Sequence, residues 1–540
     1  MSRILAVHNS HNASICEINN NDIIYFQEAE RLDRSKKSKN WEILFDKYRD
    51  QKFDKIIFLQ AVEEKAIFKE SSLIQIEQIF NSLNIECLEF VYEQGKHHFF
   101  HACCSFFNSG LKKSYVLVSD GSGSFDKNKN VEMISLYYFN KNKFKKIFQV
   151  YKSNTTEYVD KKNTYINTVS LGNLFEITKN VLGYKEEGSI MGLSCYYNLQ
   201  KDTDSINKDG VFQYPFAFKK FNHFQISQEK LMFLNTLNNR KPGDKEKSAP
   251  LVCKSVQIAL EKIMLQYIKN ITKGKKRNVC VSGGVFQNTI LNSKILDIVP
   301  NLYVDPFADD SGLSMGVALW HANKEKFKCN KIKNLFLGDS PDYSVVPLKH
   351  GLNVSVKDVA KLISEKNIVA IYQGRNETGK RALGNRSFLY DPRDFFAKER
   401  LNILKKREFF RPVAGTVLHE HADEWFDLKS KKETPFMSYV FKVKKEGIPG
   451  ITHIDETCRI QTLKKEQNFY YYALINEFYK LTNIPMLANT SFNLAGEPLI
   501  NTPKEALFSL MPNENLFEYL YFPELGKLFN NNSINNLHEN

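Results

Sequence analysis

The sequence predicts an α/β protein of two domains, and three observations predict it. Its 540 residues exceed what a single hydrophobic core supports. Two short apolar runs each lead straight into a glycine loop: Tyr115-Val-Leu-Val-Ser119 into Asp120-Gly-Ser-Gly-Ser124, and Asn278-Val-Cys-Val-Ser282 into Gly283-Gly284-Val285. That is the pattern of an α/β domain built around phosphate-binding loops. A charged, then Gly/Asp/Ser/Pro-rich stretch at 325–345 separates this half from a second α/β pattern at about 346–530.

Taken in order, residues 3–8 and 23–27 read as strands, joined through 15–18 and the turn-rich Asn19-Asn20-Asn21-Asp22. Residues 251–271 carry apolar side chains at 252, 256, 260, 263, 267 and 271, a helical spacing. The basic cluster Lys273-Gly-Lys275-Lys276-Arg277 falls where that helix ends, where it complements the helix dipole. A solvated helix end explains it better than a nucleic-acid patch does. The expected domains are 1–335 and 346–530, with 531–540 a flexible tail.

Composition narrows the class further. Hydrophobic residues make up 42% and aromatics 13%, enough for packed cores. The net charge is +14, but the lysines are spread along the chain, so no nucleic-acid partner is expected. No run reaches the roughly 18 apolar residues of a membrane span. The N-terminus lacks the long apolar region of a signal peptide. The nine cysteines form no C-x-x-C pair, which fits reduced thiols better than disulfides or a zinc ribbon. A soluble, cytoplasmic protein is the expectation.

Four constellations carry chemistry. In His97-His98-Phe-Phe-His101, a helix would put His97 and His101 on one face, one turn apart. Alone, the pair fits core or surface histidines better than a metal clamp. Asp120 and Asp310 are candidate carboxylate partners, and two imidazoles with oxygen ligands suit iron or zinc. In Ser282-Gly283-Gly284-Val285-Phe-Gln-Asn288, the glycines allow close backbone approach to a nucleotide, though tight-turn geometry accounts for them equally. The stretch from Gly374 to Ser387 packs three arginines, a lysine and three glycines, and Lys405-Lys406-Arg407-Glu408-Phe-Phe-Arg411 follows downstream. Such cations beside glycine loops suit a polyphosphate or carboxy-phosphate better than plain solvent. Finally, Asn489-Thr-Ser491-Phe-Asn493 at a strand end suits nucleotide recognition or a turn cap. No G-x-x-x-x-G-K-[ST] loop, H-E-x-x-H helix or G-x-S-x-G elbow is present.

Together these stretches resemble the O-carbamoyltransferase family of nodulation-factor and antibiotic biosynthesis. The likeness runs in order through ILAVHNSHNAS, EAERLDRSKK, HHFFHA, VSDGSGS, SLGNLFEITKNVLGY, EEGSIMGL, SGGVFQN, DDSGLSMGVAL, GRNETGKRALGNRS, KKREFFRPVA, HIDETCRIQT and NTSFNLAGEP. The resemblance implies an N-terminal actin/Hsp70-like (Kae-type) duplicated α/β domain over 1–335 and a C-terminal YrdC-like α/β domain over 346–530. It implies that the C-terminal domain makes carbamoyl adenylate from carbamoyl phosphate and ATP, with Mg2+ accompanying ATP. The N-terminal domain would then transfer the carbamoyl group to a hydroxyl of a sugar or other small molecule.

Carried over by position, His97, His101, Asp120 and Asp310 would bind the metal, Fe2+ or else Zn2+. His11 would act as the general base or orienting group for the acceptor hydroxyl, and Lys36 would share its pocket. Gly121, Gly283, Gly284 and Asn288 would hold the nucleotide end of the adenylate. Arg381, Lys406, Arg411, Arg459, Asn489, Ser491 and Asn493 would hold carbamoyl phosphate and ATP. The chain departs from the family pattern at Asn12, Ala29, Ser189 and Lys380, which bears on acceptor choice and rate. A tRNA threonylcarbamoyladenosine synthase shares both domain types, and a non-catalytic nucleotide-binding scaffold shares the fold. The order of the blocks opposes the first, and retention of His11, the histidine pair and the arginine loops opposes the second.

Overall fold

The computed structural model describes residues 3–61, 66–153, 158–159, 163–166, 169–197, 216–219, 223–226, 242–325, 330–510 and 517–530. Most of the motif-free segment 198–250 and the tail 531–540 lie outside these. The chain forms two compact units: residues 1–56, 77–90 and 332–540, and residues 57–76 and 91–331. The α/β class expected from the sequence is the class observed.

The chain opens with β1 (Arg3–His8), β2 (Ser14–Asn19) and β3 (Asp22–Glu28), then α1 (Ala29–Asp33) and β4 (Lys52–Gln60). Helix α2 (Ala66–Leu83) and β5 (Glu86–Gln94) complete a five-stranded sheet of order β3-β2-β1-β4-β5. Residues 15–18, read as a connection, are a strand in their own right. They pair antiparallel with β1 from Arg3↔Asn19 to His8↔Ser14, and are buried along most of their length.

The second unit contains α3 (His97–Ser109), β6 (Lys113–Ser119), β7 (Val131–Asn140), β8 (Lys143–Lys152), β9 (Tyr158–Val159) and β10 (Asn163–Ile166). Helices α4 (Leu171–Leu182) and α5 (Glu187–Ser194) and a small β11 (Phe216–Lys219), β12 (His223–Ile226) ladder follow. Then come α6 (Pro242–Thr272), β13 (Val279–Ser282), α7 (Thr289–Ile298), β14 (Leu302–Val304) and α8 (Leu313–Lys324). The apolar period read at 252–271 is thus the second half of α6. Its basic end turns back at Lys273 and Gly274, both with positive φ, and Arg277 bonds the Tyr115 hydroxyl. The seven-stranded sheet has order β14-β13-β6-β7-β8-β10-β9, and β13 lies parallel to both β6 and β14. Parallel neighbours release their loops at one edge, and ligand sites of α/β sheets form there.

Helix α3 packs on this sheet and on α8. The contact with α8 is close because Gly316 has no side chain: a Cβ there would lie 2.1 Å from the Phe100 carbonyl oxygen. Around it Phe99 meets Trp320 with ring centroids 5.0 Å apart, and Phe106 meets Phe139 at 4.7 Å. This apolar packing fixes the helix that carries the histidine pair.

The C-terminal part of the first unit contains β15 (Leu352–Asn353), α9 (Val356–Ser364), β16 (Val369–Tyr372), β17 (Arg386–Tyr390), α10 (Ala397–Leu404), β18 (Ala414–Leu418), β19 (Val440–Lys442) and β20 (Thr457–Leu463). It closes with α11 (Phe469–Thr482), β21 (Met486–Ser491), α12 (Pro503–Ser509), β22 (Tyr519–Phe522) and β23 (Lys527–Asn530). The strands form one mixed sheet of order β15-β23-β22-β16-β17-β21-β18-β20-β19. Helix α9 starts at a capping box of Ser355 and Asp358 and packs on α11. The stretch expected as a linker is partly core: Ile332, Leu335 and Leu337 are buried, and Phe26 donates its N–H to the Leu337 carbonyl at 3.1 Å. Among the described residues, no helix is long and apolar enough to cross a membrane.

Candidate metal centre and arginine cluster

The sequence starts α3 at His97, whose N–H is accepted by Ser124 Oγ at 2.9 Å. His97 and His101 therefore share a helix face, with their Nε2 atoms 3.1 Å apart. Asp120 follows the C-terminal end of β6, and Asp310 starts the short turn leading into α8. His97 Nε2 lies 3.7 Å from Asp120 Oδ2 and 3.4 Å from Asp310 Oδ1. His101 Nε2 lies 3.4 and 3.5 Å from the same two oxygens. All four ligand atoms fall within 4.8 Å of one another. Bonds of about 2.1 Å to one central cation would separate adjacent ligand atoms by about 3–3.5 Å, so the donor set fits a divalent transition metal.

Electrostatics follow from this crowding. Burial opposes charge on His101, but hydrogen bonds and attraction from Asp120 and Asp310 outweigh it and push its pKa up to about 9. Burial likewise opposes charge on Asp120, yet the two histidines hold its carboxyl well below the usual range. His98, next in sequence, turns away to hydrogen-bond Ser135 Oγ at 2.8 Å, and burial drives its pKa well down.

The loops around the cluster are tied to it. Gly284 N–H donates to Asp120 Oδ2 at 3.2 Å, and Gly121 N–H to Asp120 Oδ1 at 2.6 Å. Gly283 is needed sterically: its φ is +93°, and a Cβ would lie 2.3 Å from the Ser119 carbonyl oxygen. Asn288 caps α7, accepting from Leu291 N–H at 2.9 Å and donating to Gln257 Oε1 at 2.7 Å. The cluster also has supports that the sequence reading missed. Ser282 Oγ lies 3.5 Å from His101 Nδ1 and donates to Asp305 Oδ2 at 2.9 Å. Asp305 is buried, which pushes its pKa up to about 6.

His11 and Lys36 belong to the first unit and are exposed. Their loops are joined where Ala13 N–H donates to the Ser38 carbonyl at 2.9 Å.

In the same unit, the three arginines of the 374–387 stretch separate by role. Arg375 donates to the carbonyls of Ile24, Leu337 and Gly338. Arg386 is wholly buried, donates to the carbonyls of Gln373, Gly374 and Asn385, and lies 3.6 Å from the Tyr372 ring centre. Both therefore hold the loop. Buried Glu377 organises the loop from inside, accepting the N–H groups of Leu383 at 2.8 Å and Asn385 at 2.7 Å. Arg381 instead joins Arg407, Arg411 and Arg459. Burial first, and then these three neighbours, depress the Arg459 pKa well below the usual guanidinium range. Its Nε is buried without a hydrogen-bond partner among the described residues.

The two adjacent lysines are placed differently. Lys406 is exposed, with φ +44°. Lys405 is buried, and its Nζ donates to the Ser491 carbonyl at 2.8 Å and the Asn493 carbonyl at 2.6 Å. Ser491 Oγ donates to Asn493 Oδ1 at 2.7 Å. Asn489 Nδ2 donates to the Ala382 carbonyl at 3.2 Å and Thr416 Oγ1 at 3.0 Å, so it braces the residue next to Arg381.

Two family models match the chain. The family model for the carbamoyltransferase N-terminus matches residues 57–319, and that for the carbamoyltransferase C-terminus matches residues 360–524. An uncharacterized protein of Methanocaldococcus jannaschii is 30% identical over 94% of this chain and 96% of its own. Nodulation protein NolNO of Sinorhizobium fredii is 31% identical over 77% of this chain and 61% of its own length. Nodulation protein U of Azorhizobium caulinodans is 35% identical over 42% and 41%. Among solved structures, full-length HypF in its phosphate- and nucleotide-bound form is 15% identical with a TM-score of 0.37, covering 60% of this chain and 55% of its own. The chain belongs to the carbamoyltransferase family and is a carbamoyltransferase enzyme.

Proposed function

We propose that this enzyme makes carbamoyl adenylate from carbamoyl phosphate, water and ATP, releasing inorganic phosphate and pyrophosphate, then transfers the carbamoyl group to a hydroxyl of a sugar or other small molecule as AMP leaves. The observation that carries the reading is Arg459, a part-buried arginine whose Nε is buried, with three more guanidiniums as its electrostatic neighbours. Like charges gathered in a low-dielectric setting repel, and an anion among them relieves the repulsion. Carbamoyl phosphate and the ATP phosphates are such anions, and arginine forks match their oxygens.

The C-terminal residues Arg381, Arg411, Arg459 and Asn493 are assigned to carbamoyl phosphate and nucleotide. Lys405 takes the place expected of Lys406, because it is the lysine that reaches Asn493. Asn489 and Ser491 brace these groups. In this reading residues 346–530 form the adenylate, and residues 1–335 perform the transfer. Gly121, Gly283 and Gly284 offer backbone around the nucleotide phosphate, while Asn288 acts as a helix cap that fixes their loop. His11 takes the proton of the acceptor hydroxyl, a role suited to imidazole near neutral pH, with Lys36 in its neighbourhood.

His97, His101, Asp120 and Asp310 would hold a metal, Fe2+ in preference to Zn2+. When bound, it supplies positive charge to phosphate or acyl oxygens. Mg2+ enters with ATP. The sugar or glycoside as acceptor follows from the family resemblance alone.

The test is pyrophosphate release from ATP by the purified chain, with and without carbamoyl phosphate. Release that requires carbamoyl phosphate supports the reading. Release that requires bicarbonate and threonine instead overturns it in favour of tRNA-type threonylcarbamoyl chemistry, and no release under any condition overturns it altogether.

A further inference from the structure

We propose that Glu132 is a positioning residue of the metal centre, its buried carboxylate clamping the N-terminus of α3 to the loop that starts at Asp120. The inference rests on the proposed reading of His97, His101, Asp120 and Asp310 as metal ligands.

Helix α3 begins without a local cap. Lys96 before it is left-handed and makes no side-chain cap, and the first turn holds no acidic residue. The leading N–H groups of a helix have no partner within it and need acceptors from elsewhere. Here the first two find side chains from the β6–β7 connection and from β7. His97 N–H donates to Ser124 Oγ at 2.9 Å, and His98 N–H donates to Glu132 Oε2 at 3.4 Å. The same carboxylate oxygen accepts the Ser124 N–H at 3.2 Å. The Ser124 hydroxyl in turn donates to the Ala61 carbonyl at 2.8 Å.

One carboxylate thus joins two elements that each bring metal ligands: α3 with His97 and His101, and the loop with Asp120. Backbone bonds seat it there. Gly123 N–H donates to the Glu132 carbonyl at 2.9 Å, and Glu132 N–H donates to the Ser124 carbonyl at 3.1 Å. Gly123 leaves room for the side chain, because a Cβ at that position would lie 2.8 Å from Glu132 Oε2. Glu132 is only 7% exposed, and its Oε1 accepts from Gln149 Nε2. The orientation of Gln149 is set by its other end, where Oε1 accepts from the Tyr151 hydroxyl at 2.9 Å and Lys146 Nζ at 2.8 Å. Three N–H donors therefore converge on Glu132, and an ionised carboxylate, which only accepts, satisfies all of them. A glutamine there would set its own N–H2 against one of those donors. The negative charge also complements the positive end of the α3 dipole.

The experiment is Zn2+ titration of the full chain in competition with a chromophoric chelator, comparing wild type, Glu132→Gln and Glu132→Ala. The visible spectrum of the Co2+-loaded protein and a urea titration are recorded on the same samples. Glu132→Ala should bind Zn2+ about 10- to 100-fold more weakly, the range for groups outside the ligand set that hold metal-binding residues in place. Glu132→Gln should fall between, since it keeps one acceptor oxygen and the side-chain volume. Both variants should shift the Co2+ bands, which respond to the arrangement of the ligands and not to the stability of the fold.

Zn2+ affinity within twofold of wild type in Glu132→Ala, with an unchanged Co2+ spectrum, would overturn the proposal even if the urea midpoint falls, because Glu132 would then serve the fold alone. If the alanine variant does not fold, the near-isosteric Glu132→Gln decides on the same two readouts. A wild type that takes up neither Zn2+ nor Co2+ removes the reading of the metal centre and the inference with it. Normal wild-type binding beside indifferent Glu132 variants refutes the inference alone.

Discussion

Replacing Ser282 by alanine should loosen the proposed metal centre without removing any of its four proposed ligands. The hydroxyl lies 3.5 Å from His101 Nδ1 and donates to Asp305 at 2.9 Å, all within buried surroundings. Asp305 would keep the Phe307 N–H at 3.1 Å and lose its hydroxyl donor. Loss of one buried hydrogen bond to a charged group costs about 1.5–3 kcal/mol. Independently, residues that orient a metal-bound histidine are typically worth about 10- to 100-fold in metal affinity, or about 1.4–2.7 kcal/mol. The two estimates overlap, so Ser282→Ala should bind metal about 10- to 100-fold more weakly and show a comparable loss of stability. Competition for Zn2+ against a chromophoric chelator, alongside a urea titration, reads both quantities. Full destabilisation with metal affinity within twofold of wild type would refute the reasoning, because Ser282 would then serve Asp305 and not His101.

Other perturbations separate the parts of the account. His97→Ala combined with His101→Ala should abolish bound metal as measured by elemental analysis; a full complement in the double variant would remove the assignment of the site. Arg381→Ala should stop adenylate formation while sparing transfer from supplied carbamoyl adenylate, and equal loss of both steps would contradict the division of labour. Glu28 is buried beside Arg31 at 3.1 Å and Lys380 at 3.4 Å. Burial opposes its charge, but the two cations hold its pKa below the usual glutamate value. The stability it contributes is therefore present above the unfolded pKa and lost as pH falls through the lower folded one. Glu28→Gln should cost about 3 kcal/mol at neutral pH and flatten the acid limb of a urea midpoint against pH profile; an unchanged acid limb would show that the pair is inert.

The parts of the fold carried by local pattern were legible in the sequence. Strand-then-glycine units placed β6 and β13 and the loops after them, and the four-residue spacing of His97 and His101 placed both on one helix face. Chemistry that depends on long-range pairing was not legible. Nothing local in Ser282 or Asp305 signals that they meet behind His101, 181 residues from Ser282. The contrast between exposed Lys406 and buried Lys405 was not legible either. The reversal that turns Lys406 outward is made without glycine, so no residue type announces the end of α10. Similarly, charge count could not distinguish Arg375 and Arg386, committed to backbone carbonyls, from Arg381. The stretch 325–345 looked like a tether because its polar residues outnumber Ile332, Leu335 and Leu337, yet those three are buried.

The central claim is the mixed anhydride of carbamate and AMP, and the most direct measurement looks for it. The purified chain, supplied with ATP, Mg2+ and isotopically labelled carbamoyl phosphate but no acceptor, would be quenched within one turnover and analysed by mass spectrometry. The account predicts a labelled carbamoyl adenylate, formed with one pyrophosphate and one inorganic phosphate and absent when carbamoyl phosphate is omitted. AMP and pyrophosphate appearing while the label stays in carbamoyl phosphate would contradict it.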